Sequence, residues 1–350
     1  MLPESRHLSR RLCLLWYRPI AVRILIIHPG FLGDALFLGP AIRALKLHWP
    51  DSRIALCLTP RGAPVGRLLP GADEVIVYDK RGADRGALGL LRTGRSLRAF
   101  RPDVALISHR SLRSGLLGWL SRAPRRIGYA PLCTERVPFS AGTFPDRLLN
   151  CAAKLGVATE DRALGLRVPE DQVAYLEGAL GGAGSPLVAL VPGAEHATKR
   201  WGASHFGQLA GRLARRGVSV VLLGGPAERL LAREVRNAAG PGAIWDLVGN
   251  TVEEAVAVIS RCDVVIGGDT GLVHCARALG KRALVLFGPT PPVRHALTKT
   301  DRFVHLSLDC QPCHRSGQPK CPLGHHRCMV DLSVGQVELA LREHCPELAL

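Results

Sequence analysis

The stretch CDVVIGGDTGLVHCARALGKRALVLFG, residues 262–288, decides the fold. "CDVVIG" reads as a short buried strand, four apolar residues led by Asp263. "LVHCARALG" has the apolar spacing of a helix that stops at Gly280, and "ALVLFG" is a second short apolar run. Runs that are apolar throughout, rather than alternating, suit parallel strands covered on both faces. Strand, helix and strand in succession make a right-handed βαβ unit. Between the first strand and the helix the chain turns on Gly267, Gly268 and Gly271, beside Asp269 and Thr270. Such a turn leaves amide N–H groups unpaired at the helix start, where the helix dipole also favours an anion. The stretch predicts a phosphate site.

The same alternation runs outward in both directions. The first half offers the strand candidates "VRILIIH", "RIALCL", "EVIVYD" and "DVALIS"; the second offers "LVALVP", "VSVVLLGG", "DVVIGG" and "ALVLFG". Helical stretches such as "GDALFLGPAIRALKLHW" separate them. A polar, Gly-rich segment near residues 159–185 splits the two sets. The expected architecture is α/β: two Rossmann-like domains, residues 22–165 and 166–350, after a basic extension at 1–21. Ligands of open parallel sheets bind at the carboxyl ends of the strands, so a cleft between the domains is expected to hold the substrates.

At 350 residues, 47% hydrophobic and 21% charged, the chain has the composition of a folded globular protein. No apolar run approaches the roughly 18 residues of a membrane-spanning helix. The extension, with its short "LCLLWY" core, reads as a membrane-contacting segment of a cytoplasmic protein rather than a signal peptide. Most of the eleven cysteines are scattered through apolar segments, which fits reduced thiols in a cytoplasm rather than a disulfide framework. Of the net charge of +17, residues 1–150 carry +14, with 24 Lys and Arg against 10 Asp and Glu. Either this is a solvated surface of an Arg-rich protein, or it faces an anionic partner.

Several residues stand where chemistry is expected. Asp34 follows the Gly30–Gly33 turn after the first strand: a helix cap, or a carboxylate at the sheet edge able to take a proton from a hydroxyl. Lys199 lies in the loop after the first strand of the second half and is a candidate to neutralise a diphosphate. In the opening stretch, Thr270 offers a hydroxyl, Gly271 and Leu272 offer N–H groups, and Asp269 stands over a sugar hydroxyl. His274 is either a packed core histidine or a ligand contact. Cys310, Cys313, Cys321 and Cys328 form C-x2-C-x7-C-x6-C in the tail 310–328, a structural metal set such as zinc or reduced thiols packing a loop.

Together, "ILIIHPGFLGDALFLGPAIRAL", "LVPGAEHATKRW" and above all "GGDTGLVHCARALGKRALVLFGPT" resemble glycosyltransferase family 9, the heptosyltransferases of lipopolysaccharide inner-core assembly. The tail is similar to that of family members of heptosyltransferase II type. The resemblance implies a GT-B fold, with an acceptor-binding first domain and a donor-binding second domain. It also implies a final helix that returns to the first domain, and inverting, metal-independent transfer of heptose from ADP-heptose without a cofactor. Asp34 matches the general base; Lys199, Asp269, Thr270, Gly271, Leu272 and His274 match the donor site. The acceptor would be anionic lipopolysaccharide core at the inner leaflet, implying a cytoplasmic protein peripheral to the inner membrane. Two other readings stay open: a GT-B enzyme with another nucleotide sugar or acceptor (a sugar epimerase included), and a basic nucleic-acid-binding protein. Only 5% aromatic residues and no RNA-binding motif speak against the last.

Overall fold

A computed structural model describes residues 22–348, apart from 141, 243, 315 and 316. The expected membrane role of residues 1–21 lies outside the described residues. The first sheet contains β1 (Arg23–Ile27), β2 (Arg53–Leu58), β3 (Glu74–Val77), β4 (Val104–Ile107), β5 (Arg125–Gly128) and β6 (Glu135–Arg136). The second contains β7 (Leu187–Val191), β8 (Ser219–Gly224), β9 (Ile244–Val248), β10 (Val264–Gly268), β11 (Arg282–Leu286) and β12 (Asp301–Val304). Their orders are β3-β2-β1-β4-β5-β6 and β12-β11-β10-β7-β8-β9, with every pairing parallel. Numbered within its own half, each sheet has the Rossmann order 3-2-1-4-5-6. This is the GT-B architecture of two facing Rossmann-like halves.

The central strands β4, β7, β8 and β10 are buried along their whole length, which is why they read as unbroken apolar runs. The sequence reading misses β5, β6, β9 and β12. These lie at or near the sheet edges, where residues such as Arg125, Glu135, Asp246 and Asp301 interrupt the pattern.

Two helical expectations change. The single helix expected over "GDALFLGPAIRALKLHW" is two, Leu32–Leu36 and Gly39–His48. Pro40 has no N–H to continue the first ladder but fits the first turn of the second. The final helix, Val334–His344, stays with the second half instead of returning to the first. It packs on the Ala203–Arg215 helix and on β11 and β12, and its Glu338 pairs with Arg212 at 2.9 Å, with Arg216 and with Arg342.

The largest cluster of buried apolar side chains runs through both halves, from Ile24 and Leu36 to Val191 and Val273. At their contact the helix Gly271–Ala278 meets Leu32–Leu36. A Cβ on Gly271 would come within 2.5 Å of Leu32 Cδ2, and one on Gly33 within 3.3 Å of His274 Cδ2. Two glycines therefore set how closely the halves approach.

Candidate functional site

In each sheet the strand order reverses between the first and fourth strands of its half, β1/β4 and β7/β10, and ligands of such sheets bind beyond that point. The four loops leaving these strands line one cavity of about 440 Å³. His28, Phe31, Gly33 and Asp34 follow β1; Ser108, His109 and Arg110 follow β4. Glu195, His196 and Lys199 follow β7, and Asp269, Thr270, Gly271 and His274 follow β10. Residues of these four loops that lie up to 246 positions apart in sequence, from His28 to His274, thus share one space.

The second-half wall is a closed network. Lys199 Nζ donates to Asp269 Oδ2 at 2.6 Å, and Thr290 Oγ1 donates to the same oxygen at 2.9 Å. His274 Nε2 meets Asp269 Oδ1 at 2.9 Å, and His274 Nδ1 meets Arg277 at 3.2 Å. Burial alone would push the Asp269 carboxyl up, but the surrounding His295, His274 and Lys199 groups hold it well below the usual carboxylate range. Burial lowers His274 and takes His295 down to about 3.

Each predicted residue on this wall has its place. Thr270 is extended and caps Gly271–Ala278 by position, but its hydroxyl makes no capping bond. The N–H groups of Gly271 and Leu272 open the helix, where no intrahelical acceptor exists for them. The Leu272 side chain packs on the core instead of lining the cavity. Asp269 has both oxygens engaged by protein groups, and both His274 nitrogens are engaged, so what this wall offers a ligand is the ion-paired Lys199 ammonium and the N–H groups of the helix start. Gly224 and Gly225, at the carboxyl end of β8, do not line the cavity.

On the first-half wall, Asp34 is the third residue of its short helix, and its Oδ2 accepts the Phe31 N–H at 2.9 Å. The carboxylate is thus a capping group and a cavity-lining acid at once. Beside it, His28 Nδ1 lies 2.6 Å from Ser108 Oγ, and burial takes this histidine down to about 4. A Cβ on Gly30 would sit within 2.8 Å of both Asp34 Oδ2 and His28 Nε2, so only glycine lets these two groups converge.

Sequence reasoning missed His28, Ser108, His109 and Arg110, although a signal existed. They directly follow strands it had found, at the edge where ligands bind. Phe144 and Arg294 carried none. Phe144 reaches the cavity from the loop after β6, stacks on Phe37 at 5.1 Å, and lies under the Arg294 guanidinium at 4.6 Å. Its N–H donates to Arg294 O at 2.8 Å, tying the two halves.

No three of the four tail cysteine sulfurs lie within 4.8 Å of one another among the described residues. Among the described residues, the group of three potential ligands with all ligand atoms within 4.8 Å is Asp269, His274 and His295. Within that group Asp269 is hydrogen-bonded to His274 and paired with Lys199, while His295 Nε2 stands 3.7 Å from Asp269 Oδ1. The thiols are near enough to affect one another: burial, then Cys313, Cys321 and Cys310, push Cys328 up to about 11. Cys313 also lines a groove beside the cavity.

This geometry has known counterparts. The family model described as glycosyltransferase family 9 (heptosyltransferase) matches residues 147–323, just over half of the chain. Lipopolysaccharide heptosyltransferase 2 of Salmonella typhimurium is 29% identical over 346 residues, covering 90% of this chain and 96% of the relative. Among solved structures, the glycosyl transferase family 9 protein of Veillonella parvula superposes with a TM-score of 0.83 at 22% identity, over 93% of this chain and 98% of that one. E. coli ADP-heptose lps heptosyltransferase II superposes at 0.76 and 22% identity, over 94% and 100%.

Proposed function

The chain belongs to glycosyltransferase family 9, the heptosyltransferases, and from that premise we propose that it moves heptose from ADP-heptose onto an anionic core saccharide of lipopolysaccharide. The observation that carries this reading is the meeting, in one cavity, of a carboxylate from the first half with a lysine and a helix N-terminus from the second. The names of the Salmonella and E. coli relatives support the donor and the acceptor class. The second half, near residues 166–350, would hold the donor, and the first, near 22–165, the acceptor.

Asp34 is the general base. It takes the proton of the acceptor hydroxyl as that oxygen attacks the anomeric carbon from the face opposite ADP. The carbon–oxygen bond to the diphosphate breaks, ADP leaves with the electron pair, and the configuration inverts in one displacement. The charge gained by the leaving diphosphate falls on the Lys199 ammonium, the Thr270 hydroxyl and the N–H groups of Gly271 and Leu272. The Lys199 ammonium and these fixed dipoles supply the stabilisation in place of a metal ion. Asp269 serves the donor site by holding Lys199 and His274 in place. The tail cysteines take no part in the chemistry. The basic first half steers an acceptor rich in carboxylates and phosphates, at the cytoplasmic face of the inner membrane. That assignment replaces nucleic acid as the partner of the positive charge.

Transfer from ADP-heptose to Kdo2-lipid A and to heptosyl-Kdo2-lipid A, in EDTA, tests the reading. Turnover on the second acceptor, lost in Asp34→Ala while ADP-heptose still binds, is the expected result. Turnover on neither acceptor refutes the acceptor, failure to bind ADP-heptose refutes the donor, and activity lost to EDTA refutes metal independence.

A further inference from the structure

The helices Gly86–Ala99 and Leu112–Leu120 lie side by side on one face of the first sheet, their inner residues Leu97 and Leu117 buried against β1 and β4. They cross closely: a Cβ on Gly94 would approach Leu120 Cβ to 2.6 Å. Their outer sides therefore make one continuous surface. On the first helix Leu88, Leu91, Arg92 and Arg95 follow the i, i+3, i+4, i+7 spacing of a single face. On the second, Leu112 and Trp119 are two turns apart on the same side.

This surface is unusual in two respects. Large apolar side chains stand in solvent, with Leu88 83% and Trp119 57% exposed. Around them, Arg95, Arg98, Arg113 and Arg122 are exposed and have no ion pair among the described residues, while neither helix contains an acidic residue. Unneutralised arginines interleaved with exposed leucine and tryptophan complement one kind of partner: a bilayer surface with anionic headgroups, where the cations meet phosphate and the apolar groups enter the acyl boundary. A folded protein partner would need a matching acidic and apolar patch, and the charge here is spread in the manner of a lipid surface.

We propose that this two-helix face docks the protein on an anionic phospholipid leaflet. The proposal rests on the reading above that the acceptor is lipid-anchored, and it explains how such an acceptor reaches the cavity. Leu112 follows the cavity-lining Arg110 by two residues, so the docking face runs to the rim of the reaction space. A saccharide could enter while its lipid remains in the bilayer.

The test is sedimentation of the full chain with vesicles of phosphatidylglycerol and phosphatidylcholine, against vesicles of phosphatidylcholine alone. Two variants are compared with wild type, Arg95→Gln/Arg98→Gln and Leu88→Ser/Trp119→Ser. Wild type is expected to bind the anionic vesicles, with affinity falling as salt rises. Removing two arginines should weaken binding roughly twenty-fivefold, about fivefold for each, and the apolar variant should also release. Equal binding by wild type and both variants would place the contact elsewhere, including residues 1–21, and overturn the proposal. So would equal binding to both vesicle types, no vesicle binding at all, or retention by RNA in preference to vesicles. Transfer to a lipid-free core oligosaccharide is measured in parallel and should be unchanged in both variants. Its absence in wild type would count against the transferase reading alone, leaving the vesicle result to judge the docking face.

Discussion

The two rims of the cavity grow from the same strand order but are held differently. On the second-half rim ionisable groups are bonded in a chain: Lys199 to Asp269, Asp269 to His274, His274 to Arg277. On the first-half rim Asp34 is tied through one oxygen to its own helix start, and Arg110 leans on an exposed Phe139 ring. A rim that must meet diphosphate charge gains from dipoles fixed in advance. A rim that admits a bulky saccharide gains from staying open. On the proposed assignment of donor and acceptor, preorganisation and access are divided between two copies of one topology.

The largest expected effect breaks the comparison at Asp34. Asp34→Ala should lower the transfer rate by about a thousandfold, within the range for loss of a general base, while ADP-heptose affinity in calorimetry stays within a few fold. A strong loss of donor binding would mean the rims do not divide the work. Next comes Lys199→Met, which strands a buried carboxylate and should cost about 3 kcal/mol of stability by urea unfolding. The double variant Lys199→Met/Asp269→Asn should regain much of that loss, and no regain would deny that the second rim is one network.

His28 offers a pH test of the first rim. Its folded pKa of about 4 lies below the ordinary 6.5. Below pH 6.5 the unfolded chain binds a proton that the folded chain refuses, so stability falls as pH drops towards 4, by up to about 3 kcal/mol. His28→Gln should flatten that part of the stability curve, and an unchanged slope would show that the ring is solvated. The smallest effect belongs to Arg61 and Glu195, an exposed ion pair between the halves with side chains 60% and 43% accessible. Arg61→Ala should shift stability by no more than about 1 kcal/mol, and a larger shift in the unfolding midpoint would make this pair a true latch.

The same contrast governs how much was legible in the sequence. The second rim is concentrated in the contiguous stretch 267–274 plus Lys199, and strand–glycine–helix punctuation exposes it without any knowledge of the fold. Asp34 was legible for the same reason. The rest of the cavity lining is drawn from separate segments, 108–110 and 139–147 of the first half and 294–295 of the second, and no local pattern links Phe144 to Arg294. Only the folded sheet edges bring them together. Interior strands were readable because burial on both faces makes them uniformly apolar; edge strands such as "RRIG" and "DRFV" lack that uniformity.

Gly33 and Gly271, where the halves touch, have a practical consequence. A valine at either position would act as a wedge between two rigid plates, since its methyls would meet His274 or Leu32 before the plates reached their present spacing. Such a propped-open enzyme would retain each rim intact yet hold Asp34, the proposed base, away from Lys199 and the Gly271–Ala278 helix start. It would let the two substrates be loaded together and watched without turnover, an arrested complex made by adding carbon atoms rather than by removing a reactive group.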